Sequence, residues 1–97
     1  DLSRAKLAEA NLASCTFRNA RLSGASLWQA NLQDAVLDGA MLDEADLDFA
    51  NLDGATVRGA KIRKAILPLG RLSLDKFQEA VRSGNRLRME GPGDSAH

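Results

Sequence analysis

Aromatic side chains make up only 4% of the 97 residues, there is a single cysteine, and 13 basic groups are cancelled by 13 acidic ones. Each shortage excludes something. One cysteine cannot close an internal disulfide, and with no second Cys or His at ligand spacing it offers no metal site. A balanced charge argues against bulk binding to nucleic acid or to an anionic membrane, since both draw on excess Lys and Arg. No apolar run approaches the ~18 residues of a spanning helix, and the opening DLSRAKLAEA lacks the charged and apolar regions of a signal peptide. The expectation is a reduced, cytoplasmic setting without membrane contact.

Apolar residues are nonetheless 44% of the chain, and most of them are Ala and Leu. A core built from these must be thin and regular. Because a chain of fewer than about 100 residues struggles to bury enough surface as an ordinary globule, repetition along one axis is a natural solution.

The repeat is strict. Leu or an equivalent stands at every fifth position: Leu2, Leu7, Leu12, Phe17, Leu22, Leu27, Leu32, Leu37, Leu42, Leu47, Leu52, Val57, Ile62 and Leu67. Two residues before each, from Ala5 to Ala65, stands Ala, replaced only once, by Cys15. In an α-helix five residues advance the side chain by about 140° net, so the leucines would scatter around the circumference. In a flat strand an odd period sends successive leucines to opposite faces. Both difficulties vanish if the chain bends once in five residues. Ala and Leu then share the inside of a short extended segment, the residues between and after them point out, and the fifth makes the corner. Stacked turns would lie about 4.8 Å apart, the usual strand spacing.

This pattern resembles the pentapeptide repeat family, whose motif is A(D/N)LXX; ANLAS, ANLQD, ADLDF and ANLDG match it as they stand. The resemblance covers residues 1–69 and implies an all-β fold, a right-handed quadrilateral β-helix with four five-residue sides per turn and about 3.5 turns. The core ladder is then Phe17, Leu22, Leu27, Leu32, Leu37, Leu42, Leu47 and Leu52. For function it implies little, because most members of the family have no assigned biochemical activity.

A 20-residue turn stacks outward positions into columns that make chemical sense. Asn11, Asn31 and Asn51 share one column, where asparagine ladders can form; Thr16, Val36 and Thr56 share a β-branched one. Arg18, Asp38 and Arg58 alternate in sign, Asp43 lies under Arg63, and Glu44 under Lys64. Four acids, Asp34, Asp46, Asp48 and Asp53, are left without a basic neighbour. The same two sides carry Trp28 and Phe49 at outward or corner positions, with Ile66 and Pro68 continuing one of them. The simplest reading is that the C-terminal segment or a second subunit covers this apolar surface; the alternative is docking of a foreign protein.

The repeat stops at Leu67-Pro68-Leu69-Gly70, where Pro ends pairing and Gly lets the chain turn. Residues 70–84 read as one short capping α-helix, with Ser73 as N-cap, Asp75 in the first turn, an apolar stripe of Leu74, Phe77 and Val81 joined by Ala80, and Gly84 as terminator. Residues 85–97 read as a polar, partly flexible tail whose Arg86 and Arg88 could fold back over the acidic turn. At the other end Asp1 begins in mid-repeat without an initiator Met, which favours an excised fragment.

No catalytic set converges. His97 ends the tail, Cys15 takes an inner position and reads as a buried core thiol, and Asp43, Asp48 and Asp53 fall on different sides of the coil and cannot meet at one cation. Gly24, Gly39, Gly54 and Gly59 fall at corners. The expectation is therefore a non-enzymatic structural or protein-interaction module with no cofactor and no metal. Its protein partner is unidentified, and a homodimer could form through an uncovered coil end or the Trp28/Phe49 side. One alternative follows from the resemblance: some quinolone-resistance members mimic duplex DNA and bind DNA gyrase or topoisomerase IV, a role in which the four acids would stand for phosphates. Against it, about 3.5 turns span roughly 17 Å, half of a DNA turn of about 34 Å, and the net charge is zero. The other alternative is a structural segment of a longer protein.

Overall fold

A computed structural model describes residues 1–90. From Lys6 to Ile66 successive turns are joined by nine isolated parallel bridges that each link residue i to i+20, from Lys6 with Ser26 to Asp46 with Ile66. The bridges fall in four columns, one on each five-residue side, so twenty residues complete a turn. Each side contributes a single bridge residue and is too short to form an extended strand. The β character expected from the sequence is thus present as a coil of parallel bridges.

The hydrogen bonds show how five residues suffice for a side. Leu22 N donates to Met41 O at 2.8 Å and Gly24 N to Asp43 O at 2.9 Å, both in the next turn. Ser26 N donates backward to Ala5 O at 2.9 Å, while Ala25 N closes the corner on Leu22 O at 3.0 Å. That last bond is the one of a β-turn, and the third residue of every coil corner from Arg4 to Lys64 has positive φ, as type II turns require. Only four of these corner residues are glycine; nine others, from Arg4 to Lys64, hold φ between 57° and 63°. The corner leaves one donor, the N–H after each Leu, without a carbonyl. Where Asn or Asp precedes the Leu, its side-chain oxygen accepts that bond: Asn31 from Gln33 N at 3.1 Å, Asp46 from Asp48 N at 3.0 Å and Asn51 from Asp53 N at 3.0 Å. The second residue of the motif is therefore a local cap for the bend.

Inside, Leu22, Leu27, Leu32, Leu37, Leu42, Leu47 and Leu52 are at most 1% exposed, and the repeat alanines from Ala25 to Ala55 are buried with them. Each such leucine contributes about 1.5–3 kcal/mol by leaving water. The first turn is less enclosed because only one neighbour stacks on it. Leu2 is exposed, Leu7, Leu12 and Phe17 are half-buried, and Cys15 is half-buried too. Phe17 and Cys15 were expected in a closed core; both lie at its open end.

At the other end α1, Leu74–Ser83, closes the coil. Ser73 Oγ accepts from Lys76 N at 3.1 Å, Asp75 sits in the first turn, and Gly84 ends the helix with φ 82° and its N–H on Ala80 O. Phe77 and Ala80 are buried and Val81 half-buried, whereas Leu74 is 43% exposed. Leu74 thus drops out of the expected stripe. Leu72, just before the helix, provides a buried leucine at this end instead.

Residues 86–90 are not a free tail. Leu87 is 2% exposed, donates to Ala55 O at 2.8 Å and accepts from Gly54 N at 2.7 Å. Met89 N donates to Asp53 Oδ1 at 3.0 Å, Met89 Sδ accepts from Leu52 N at 3.0 Å, and Glu90 N donates to Arg71 O at 2.8 Å. This segment takes the place of a further turn over the Leu52 side. The cap accordingly extends from residue 70 to at least Glu90, and Arg86 reaches the Gly54 carbonyl at 2.8 Å rather than an acid. The remaining tail, with Gly-Pro-Gly and His97, lies outside the described residues.

Candidate interaction surface

The side built on Leu27, Leu47 and Leu67 carries the molecule's outward aromatics. Trp28 follows Leu27 and Phe49 occupies the corner after Leu47, so the 20-residue register sets them diagonally across adjacent turns. Their ring centroids are 6.3 Å apart with planes at 84°, an edge-to-face pair of a kind worth about 0.5–1.5 kcal/mol beyond burial. Trp28 is 37% exposed and Phe49 67%. Phe49 also holds φ 60°, and every other non-glycine corner residue with positive φ is polar or charged. A left-handed phenylalanine costs about 1–2 kcal/mol, and here burial does not offset that cost.

Among residues 70–90 the C-terminal segment seals the coil end and brings Arg71 and Met89 beside Phe49 without covering it. In the next turn Ile66 and Leu69 are about half exposed, whereas Pro68 is buried. Beside Phe49 lies an open groove of about 370 Å³, bounded by Gln29, Asp48, Pro68, Arg71 and Met89. Arg71 is anchored at its Nε, which donates to Glu90 O at 2.7 Å. Arg71 and Met89 were not legible as site residues, although the alternation of Leu87 and Met89 in RLRME is a weak signal of an extended segment with one inward face.

The four acids do not form one set. Asp46 spends Oδ1 on the Asp48 amide and Asp53 spends Oδ1 on the Met89 amide, whereas Asp34 and Asp48 have neither a side-chain hydrogen bond nor an ion pair among the described residues. The alternating column gives one ion pair, Arg18 with Asp38 at 3.8 Å. Asp43 reaches the backbone N–H of Arg63 at 3.0 Å instead of its guanidinium, and Glu44 makes no pair with Lys64. The asparagine ladder has one rung, Asn31 Nδ2 to Asn11 Oδ1 at 3.4 Å. Among the described residues no three His, Cys, Asp or Glu side chains gather to hold a metal, and no helix is long and apolar enough to cross a membrane.

A coil whose bridges all repeat at twenty residues, with Leu inside and Asx caps at its corners, defines a repeat-built solenoid. The model of pentapeptide repeats matches residues 1–39 and 30–67 in 8 copies, and the chain belongs to that family. Among solved structures it is similar to a pentapeptide repeat protein from the thylakoid lumen of Arabidopsis thaliana, with 32% identity over 68% of this chain and a TM-score of 0.67. It is also similar to HetL, a pentapeptide repeat protein involved in heterocyst differentiation regulation from Nostoc sp. strain PCC 7120, with 37% identity over 67% of this chain and a TM-score of 0.51. The chain spans 46% and 33% of the lengths of these two proteins. A comparison with curated proteins gives no match.

Proposed function

We propose that this chain is a non-enzymatic scaffold, a right-handed quadrilateral β-helix of about 3.5 turns that presents its Trp28/Phe49 side to another protein. The observation that carries this reading is the edge-to-face aromatic pair left uncovered by the described residues, with Phe49 67% exposed in a backbone conformation that bulky side chains avoid. Strain retained without burial points to a use for the exposed ring. A cytoplasmic setting belongs to the same reading and rests on the sequence alone. The test is a pull-down comparing the intact protein with a Trp28→Ala, Phe49→Ala double variant. Loss of bound protein by a variant that circular dichroism shows to be folded supports the reading, and an unchanged bound set removes this side from it.

Mimicry of duplex DNA toward gyrase or topoisomerase IV is weaker, because the net charge is zero and about 3.5 turns span roughly 17 Å, half of a DNA turn of about 34 Å. Gyrase supercoiling unaffected at high molar excess of the protein retires it. A role as one segment of a longer scaffold draws support from the greater lengths of the two similar proteins, and the full-length gene sequence decides it.

A further inference from the structure

The Trp28/Phe49 side pairs a projection with a hollow. The Phe49 ring stands out at 67% exposure, and the groove of about 370 Å³ opens beside it. An enclosed cavity of about 150 Å³ already accommodates a benzene ring, so the groove can receive a phenyl group. Its walls carry one acid and one base, Asp48 and Arg71. Asp48 has no side-chain partner among the described residues, and the Nε anchor of Arg71 on Glu90 leaves its terminal nitrogens for other acceptors.

The geometry points to a second copy of this chain as the occupant: two molecules related by a two-fold axis, each seating Phe49 in the other's groove and setting Asp48 against the other's Arg71. This rests on the reading of that side as an interaction surface and names its partner. A two-fold contact must be self-complementary, with residue i meeting j and j meeting i. A knob beside a hollow and an acid beside a base satisfy that condition together. A partner carrying charge of one sign would leave either Asp48 or Arg71 facing its like. The zero net charge of the chain removes the long-range repulsion that holds many proteins apart. One coil side is small beside the roughly 800 Å² per partner of a standard interface, so the association is weak.

The test is sedimentation velocity on the full chain over a concentration series reaching about 1 mM, where even weak association registers. The wild type is expected to shift from monomer to dimer. Asp48→Arg and Arg71→Asp, each confirmed as folded by circular dichroism and melting temperature, are expected to raise the dimer dissociation constant at least tenfold. An equimolar mixture of the two is expected to recover it, because the new arginine of one copy then meets the new aspartate of the other. A wild type that stays monomeric overturns the proposal. So do single variants that dimerise normally, or a mixture that fails to recover. A monomeric wild type that still loses bound protein on the Trp28→Ala, Phe49→Ala change defeats self-association alone and leaves the scaffold reading in place.

Discussion

Asp38 Oδ1 accepts a hydrogen bond from the backbone N–H of Arg58, one full turn further along the coil, at 3.1 Å. The five-residue corner leaves that amide without a carbonyl, and Thr56, which precedes Val57, does not supply the cap that Asn or Asp gives elsewhere. The acceptor therefore comes from the turn below. Asp43 does the same for Arg63 at 3.0 Å. Pro68 meets the problem differently, since at the equivalent position after Leu67 it has no N–H to satisfy. The acidic middle turn is in part a set of corner caps.

This relationship separates two contributions of Asp38. Asp38→Asn keeps an oxygen for the Arg58 amide and loses only the 3.8 Å pair with Arg18, whose side chain is 60% exposed; such a pair contributes a few tenths of a kcal/mol. Asp38→Ala removes the acceptor as well and is expected to cost about 1 kcal/mol. Urea denaturation of both variants, with and without Arg18→Ala, resolves the two terms. Equal losses for Asn and Ala would mean that the amide bond contributes nothing.

The coil was legible because its signal is redundant: the inner ladder from Leu22 to Leu52 and its alanines both repeat every five residues, so each residue confirms the others. The destination of the acidic side chains was not legible. Column arithmetic places Asp43 beside Arg63 correctly, but it cannot tell whether the carboxylate meets the guanidinium or the peptide N–H. Leu87 and Met89 were missed for a different reason. They lie in a short aperiodic segment dominated by Arg and Glu, and only the edge of the last turn, itself a product of the fold, gives their alternation a place to dock. The candidate surface was half legible: Trp28 and Phe49 stood out as outward aromatics, while the groove wall formed by Arg71 and Met89 depends on that docking.

Glycine at a corner is required by space at one position and only by backbone torsion at another. Gly39 and Gly59 have nearly the same φ, 69° and 70°. A Cβ on Gly39 would run into Asn19 Oδ1, whereas nothing lies within 4 Å of one on Gly59. Gly59→Ala is expected to cost about 1 kcal/mol, the left-handed penalty alone, and Gly39→Ala distinctly more. Adding Asn19→Ala to Gly39→Ala is expected to recover the excess. Thermal melts of the single and double variants check this, and additive losses would show that the clash relaxes without cost.

Leu87 is the keystone of the coil's C-terminal closure. It is buried to 2% exposure and bonded in both directions to the last turn, from its N–H to Ala55 O and from Gly54 N–H to its own carbonyl. Leu87→Ala removes a buried side chain at a cost of about 2–5 kcal/mol but leaves both backbone bonds chemically possible. The loss should therefore fall first on local closure. Hydrogen exchange is expected to accelerate at the Gly54 and Leu87 amides, with little change at Leu27 and Leu32, whose partners lie wholly within the coil at Asp46 and Asn51. Once the segment lifts, the Leu52 side presents unpaired backbone groups, an edge that recruits other chains, and the variant is expected to aggregate at concentrations where the wild type stays dispersed. Uniform acceleration throughout the coil would instead show that the cap and coil open as one unit, and unchanged exchange at Gly54 would show that Leu87 does not hold the segment down.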